Sequence, residues 1–210
     1  MVQRPPVLKI VQAGEPVLRQ RARELTPEEV RSEEVQRLVA HMRETMRDAP
    51  GVGLAAPQVG VGVRLVVVED RAEYQAAATP EELAERGREP VPFLVLANPR
   101  LTVEDAAVEE FHEGCLSVSG FAALVPRARA VRVEALDGEG RPVVLHARGW
   151  LARILQHEVD HLDGVLYVDR MEPRSFGTLE HQRRHWRGPT ARVRAALGLP
   201  PRGGTGGTEG

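Results

Sequence analysis

His157-Glu158-Val159-Asp160-His161 lies inside the run that begins Gly149-Trp150-Leu151-Ala152-Arg153-Ile154-Leu155-Gln156 and closes Leu162-Asp163-Gly164. Residues four apart on an α-helix share a face, so the two imidazoles point the same way and can hold one divalent metal ion between them. Glu158 between them can move a proton. The surrounding run is amphipathic, and Gly164 can take the left-handed conformation past a helix end. Trp150, Ile154, His157 and His161 fall on one stripe that is otherwise apolar, where a core-facing helix would place Leu or Ile. A buried imidazole without a partner is costly, and a metal supplies that partner. Two solvated histidines on a surface helix are the plain alternative.

Two ligands are too few for a catalytic site of this kind, which takes three from the protein and keeps a position open. Cys115 is the candidate third donor. It is the only cysteine, which excludes an intrachain disulfide and a four-cysteine zinc site, and it sits in Glu113-Gly114-Cys115-Leu116-Ser117-Val118. A lone cysteine also reads as a buried structural thiol. Gly114 lets another backbone approach closely, and Glu113 can orient the loop by accepting hydrogen bonds. A third segment, Gly51-Val52-Gly53-Leu54-Ala55-Ala56-Pro57-Gln58-Val59-Gly60, lacks the Gly-Lys-Ser/Thr end of a phosphate loop and the spacing of a dinucleotide fingerprint. It reads as a connector, or as the carrier of a glutamine amide that serves as an oxyanion donor beside a metal.

Together, in this order, the three segments resemble peptide deformylase, the family that removes the formyl group from the initiator methionine of new polypeptides. The likeness runs from about Leu8 to Met171 and takes in Ala13-Gly14-Glu15-Pro16-Val17-Leu18 and Asn98-Pro99. Ser119-Gly120-Phe121 and Val125-Pro126-Arg127 are similar to a branch that includes organellar as well as bacterial enzymes. The resemblance implies that Cys115, His157 and His161 bind the metal, with water or hydroxide as fourth ligand. It makes Glu158 the general base, with the Gln58 amide and the Leu116 backbone N–H holding the developing oxyanion. Main-chain groups around Val52, Gly53 and Gly114 would pair with an extended peptide, glycine there leaving room for strand addition. Fe²⁺ is the implied ion, with Zn²⁺, Ni²⁺ or Co²⁺ as occupants after purification, and the implied partners are N-formylmethionyl nascent peptides.

Composition narrows the remaining classes. At 210 residues the chain reads as one catalytic domain over residues 1–188 and an unfolded tail over 189–210, where Gly203-Gly204-Thr205-Gly206-Gly207-Thr208 offers little apolar surface to bury. A formal net charge of −2 argues against DNA or membrane binding over the whole surface. No run of 18 apolar residues occurs, and Met1-Val2-Gln3-Arg4-Pro5-Pro6 lacks a signal peptide's apolar stretch, so a soluble cytoplasmic protein is expected. Arg183-Arg184-His185-Trp186-Arg187, basic with an aromatic, suits transient contact with the ribosome.

Thr26-Pro27-Glu28-Glu29 is a capping-box start, and Val35, Leu38, Val39, Met42 and Met46 extend a helix to Asp48. Strands are expected at Val63 to Val68, Phe93 to Ala97, Leu101 to Val103, Val131 to Leu136 and Pro142 to His146, the last two joined by the turn Asp137-Gly138-Glu139-Gly140. Asp70 to Pro90 reads as a solvated surface excursion with a second capping box at Thr79-Pro80-Glu81-Glu82. The result is an α+β architecture, antiparallel sheets wrapped around the central metal-binding helix, with an N-terminal helix. Two rivals share these features: a zinc-type metallopeptidase, which usually completes its site with a carboxylate or third histidine rather than a thiolate, and a noncatalytic metal-stabilised peptide-binding module, which has no need of Glu158 or Gln58.

Overall fold

The single helix expected from Thr26 to Asp48 is two helices in the computed structural model, which describes residues 5–76, 78–186 and 188–201. Thr26 and Glu29 exchange hydrogen bonds as a capping box does, starting α1 (Pro27–Arg31). Ser32 is extended; its hydroxyl donates to the Glu29 carbonyl at 2.6 Å and accepts from the Val35 N–H at 3.3 Å. One side chain therefore closes α1 and caps α2 (Glu33–Asp48). The apolar repeat starts only at Val35, after the break, and so carries no sign of it.

The strands are β1 (Gly53–Ala55), β2 (Leu65–Asp70), β3 (Val91–Cys115), β4 (Val118–Leu136) and β5 (Pro142–Arg148), with α3 (Ala72–Gln75) and α4 (Pro80–Arg86) between β2 and β3. They form one sheet in the order β1-β2-β3-β4-β5, every neighbouring pair antiparallel. After α5 (Gly149–Leu162), the short β6 (Gly177–Thr178) pairs with β4 at Phe121 and Ala122, and α6 (Leu179–His185) and α7 (Thr190–Ala196) follow.

Phe93 to Ala97 and Leu101 to Val103, expected as separate strands, belong to the 25-residue β3, whose register shifts between Ala97 and Arg100 and again around Asp105. Asn98 stands at the first shift with φ +52, and its side-chain amide bonds both backbone groups of Leu25 at 2.9 and 2.7 Å. Asparagine tolerates that left-handed backbone where a branched residue would not. The shifts bend the long hairpin, so one sheet does the wrapping that several were expected to do.

β2 explains the depth of the structure. Leu65 and Val67 face a core built with Val30, Val35, Met42 and Met46 of the first helices, while Val66 and Val68 face a second core with Ile154, Leu155 and Leu162 of α5. A strand buried on both faces reads as a continuous apolar run, as Leu65-Val66-Val67-Val68 does. Truncating the fully buried Met42 or Met46 to Ala removes roughly 2–5 kcal/mol. α5 touches strands β1 to β5 and the 3₁₀ turn Ala56–Val59, which places the histidine pair at the centre of the fold.

Two expectations change. Residues 190–196 do not belong to an unfolded tail: Val193 is buried, Arg194 pairs with Glu110 at 2.7 Å, and the Thr190 hydroxyl donates to the Glu110 carbonyl at 2.7 Å. The glycine-rich composition that motivated the tail begins only at Gly203, and residues 202–210 lie outside those described. The excursion after β2 is not wholly solvated either, because Asp70 is fully buried and receives both arms of Arg88 at 2.7 and 2.9 Å.

Candidate metal centre

Cys115 ends β3, and β4 begins three residues later, so its thiol is carried on a tight corner facing α5. His157 and His161 lie one helical turn apart, their ring centroids 5.0 Å from each other. The Cys115 Sγ is 3.2 Å from His161 Nε2, and one ligand atom from each of Cys115, His157 and His161 lies within 4.8 Å of the others. Two metal–ligand bonds of about 2.0–2.3 Å span up to roughly 4.6 Å, so one ion reaches all three with little adjustment. The donor set of one thiolate and two imidazoles suits a zinc- or iron-type ion. It does not suit magnesium or calcium.

A second layer fixes the ligands. His157 Nδ1 is 3.0 Å from Glu113 Oε2; a carboxylate only accepts, so Nδ1 holds the hydrogen and Nε2 keeps its lone pair for a ligand bond. Glu113 also accepts from Arg127 at 3.0 and 2.9 Å and from Arg153 at 2.6 Å, and Asp160 accepts from Arg127 at 2.6 Å and from Arg170 at 2.7 and 2.8 Å. Burial alone would raise the Glu113 carboxyl, but the His157 and Arg127 hydrogen bonds and the Arg127 charge hold it well below the usual carboxylate range. Burial opposes protonation of His157, yet Cys115 and Glu113 draw positive charge onto it, a demand that a divalent cation meets. Burial, helped by His157 and Arg127, keeps His161 neutral, the form that ligates.

Glu158 is 4 % exposed, and burial pushes its carboxyl up to about 7, against the pull of His157 and with the help of Glu113. Its Oε2 has no hydrogen-bond partner among the described residues. Gly53 is what lets it fit: a Cβ there would stand 2.3 Å from Glu158 Oε1, closer than any real contact. Gln58 is equally buried, and its orientation is determined by its own loop. The Ala55 N–H donates to Oε1 at 2.8 Å, which turns Nε2 toward Cys115 Sγ and the Ser117 hydroxyl, each 3.4 Å away.

The N-terminal segment laces these pieces together. Val11 N–H donates to the Gln58 carbonyl at 2.9 Å, Ala13 N–H to the Ser117 carbonyl at 2.7 Å, and the Gln12 side chain to the Leu116 carbonyl at 3.0 Å. All the residues singled out in the sequence meet around one open cavity of about 680 Å³: Val52, Gly53, Gln58, Gly114, Cys115, Leu116, His157 and Glu158 line it, and His161 stands behind Cys115. Its walls also hold His112, Trp150, Ile154 and Phe121, and α6 brings Leu179 and Arg183 to its rim. Phe121 stacks on Phe176 at 5.0 Å, both rings partly exposed.

Sequence reasoning assigned no contact at the site to Arg127, Arg153, Asp160 or Arg170, which build the charge cluster behind Glu113. A signal existed in Arg153, a charged residue set among the apolar positions of α5. Nothing in the spacing pairs it with a carboxylate forty positions away.

The polypeptide deformylase family model matches residues 7–176. A chloroplastic peptide deformylase 1A of Solanum lycopersicum is 48 % identical over 172 residues, covering 82 % of this chain and 62 % of its own, so this chain spans less than two thirds of that relative's length. Peptide deformylase 3 of Streptomyces avermitilis is 50 % identical over 194 residues, covering 91 % and 84 %. Among solved structures, a class I type b peptide deformylase of Acinetobacter baumannii with Met-Ala-Ser bound aligns at TM-score 0.70 and 33 % identity, over 80 % of this chain and 99 % of that one. With the model matched across all three motif segments and half the residues shared with a relative along most of both chains, this chain belongs to the peptide deformylase family.

Proposed function

We propose that this protein removes the N-formyl group from the initiator methionine of nascent polypeptides, releasing formate and a free amino terminus. The observation that carries the reading is the convergence of three things on one cavity: the Cys115-His157-His161 donor set, the buried Glu158 with its raised pKa, and the Gln58 amide turned toward Cys115. Cys115, His157 and His161 would hold the ion, for which we keep Fe²⁺, with Zn²⁺, Ni²⁺ or Co²⁺ as replacements in purified material. When bound, a divalent ion acts as a Lewis acid that brings water toward ionisation near neutral pH.

The remaining steps belong to side chains. Glu158, lining the same cavity, takes a proton from the attacking water as its oxygen bonds to the formyl carbon and then gives that proton back. The C–N bond then breaks and the proton leaves with the amine nitrogen. Gln58 Nε2 and the Leu116 N–H donate to the formyl oxygen as it gains negative charge. Val52, Gly53 and Gly114 bind the extended peptide through main-chain groups. Cys115 weighs against a zinc-type peptidase, whose site ends in a carboxylate or a third histidine.

No helix among the described residues is long and apolar enough to cross a membrane. We place the protein in the cytoplasm, with transient ribosome contact through the basic residues of α6. The tomato relative is named chloroplastic, so fractionation of the source cells tests the first point. Co-sedimentation with ribosomes at low salt, compared with an Arg184→Glu variant, tests the second.

The deciding experiment measures formate release from formyl-Met-Ala-Ser by anaerobically prepared protein loaded with Fe²⁺ or Ni²⁺, beside Glu158→Ala at equal metal content. Release by the wild type that falls about a thousandfold in the variant is expected, within the range general acid–base groups contribute. Folded, metal-replete protein that binds the peptide but releases no formate is a noncatalytic binding module.

A further inference from the structure

The segment between β2 and β3 reaches the wall of the catalytic cavity. Its helix α4 ends at Arg86, and the next residues abut the start of α5: the Trp150 N–H donates to the Gly87 carbonyl at 3.4 Å, and a Cβ on Gly149 would stand 2.8 Å from the carbonyl oxygens of Arg86 and Gly87. Only a glycine allows this contact.

Two cations from the segment then meet one indole. The Arg86 guanidinium carbon lies 5.2 Å from the Trp150 ring centroid and the Arg88 carbon 5.4 Å, both within the range in which a cation is drawn to an aromatic face. Arg88 is fixed from behind by the buried Asp70. Arg86 makes no ion pair among the described residues, and its guanidinium is shared between Trp150 and Phe111, 5.5 Å from the latter's centroid. Trp150 Nε1 is buried without a hydrogen-bond partner. No hydrogen bond therefore sets the angle of the indole; it packs against the core around α5 on one side and is held by the two guanidinium groups. Trp150 itself lines the cavity beside Val52, His112 and Ile154.

We propose that Arg86 and Arg88 are positioning residues for substrate selection: by fixing Trp150 they shape the apolar wall against which the first side chain of the substrate packs. The proposal rests on the reading that this cavity takes the methionine of a formylated peptide. Neither arginine touches the reacting atoms. Their effect falls on binding of methionine over smaller side chains and leaves the bond-breaking step alone.

Trp186→Phe leaves Trp150 as the one tryptophan, since the chain has two. In that background, Arg86→Met keeps the bulk and removes the charge, and Arg86→Lys keeps a charge. Binding of Met-Ala-Ser and Ala-Ala-Ser is followed by Trp150 fluorescence, and hydrolysis of both formylated peptides by formate release. Arg86→Met should raise Kd for Met-Ala-Ser and KM for its formylated form about fivefold, leave the Ala-Ala-Ser values and kcat within twofold, and increase acrylamide quenching of Trp150. Arg86→Lys should fall between wild type and Arg86→Met. An unchanged Met-to-Ala ratio in both variants overturns the proposal, as does a fall in kcat with KM unaltered. The two readings fail separately: a wild type that releases no formate sinks deformylation, while the ratio of the two dissociation constants still judges the wall. A wild type that binds neither peptide sinks both.

Discussion

Two helices of this chain carry histidines four positions apart, and among the described residues only one pair belongs to a candidate metal centre. On α5, His157 and His161 stand with centroids 5.0 Å apart, joined by Cys115 and oriented by Glu113. On α6, His181 and His185 stand 5.9 Å apart on an exposed seven-residue helix, with no third ligand in their group among the described residues. Spacing is the same. What differs is burial and the ring of partners, which equip the first pair to hold a cation and leave the second solvated. Periodicity brings two side chains together; the surrounding charges decide whether they bind anything.

The comparison breaks most sharply on the third ligand. Cys115→Ala should reduce bound metal from about one ion per chain to less than a tenth and abolish formate release, whereas His181→Ala with His185→Ala should change neither; metal analysis after gel filtration reads both. Next comes Gln58→Ala. The α5 pair has a donor turned toward its open side, so a loss of about a hundredfold in kcat at equal metal content is expected, with KM little changed. Glu113→Gln tests the orienting layer: metal affinity should fall roughly 10- to 100-fold in competition with a chelator, with secondary structure retained by circular dichroism.

The smallest effect concerns a third kind of histidine. His112 lines the cavity, and burial, with Arg86 beside it, holds its pKa at about 4 against an ordinary 6.5. Between these values the unfolded chain binds a proton that the folded one refuses, so stability is fully present above about 6.5 and falls as pH drops toward 4. Urea midpoints at pH 7.5 and 5 should diverge more in wild type than in His112→Asn. An equal pH slope in the two proteins would mean that His112 is solvated.

The two histidine pairs also mark what was legible in the sequence. The grouping of the candidate site was readable because metal chemistry demands few residue types in a short local pattern, and because Cys115, Gln58 and the α5 motif each carry their own signal. The capping boxes at Thr26 and Thr79 and the turn at Asp137 were readable for the same local reason. The Ser32 break was less visible, since a serine ahead of an apolar repeat serves equally as a cap or as a first-turn residue. The union of two expected strands into β3 runs through Asn98, which stands at a register shift and bonds to Leu25, 73 residues away in sequence. Arg127, Arg153 and Asp160 stayed hidden because a buried ion network is specified only in three dimensions. The same applies to Arg86 and Arg88, whose exposed-looking segment conceals two cations turned inward.

The lacing of Val11, Gln12 and Ala13 onto the loops of Gln58 and Leu116 bears on the protein's own birth. Gln12 meets Leu116 across 104 residues of chain, and α5 is made later still. A ribosome therefore delivers the first piece of the site long before the last, and the early piece waits without partners, since a loop of that length closes only when its contacts exist to reward it. Partial chains ending before α5 hold the thiol and the glutamine but neither histidine of the centre. On the proposed reading, no fragment that stops before α5 can hold the ion, so the centre forms only once that helix has been made.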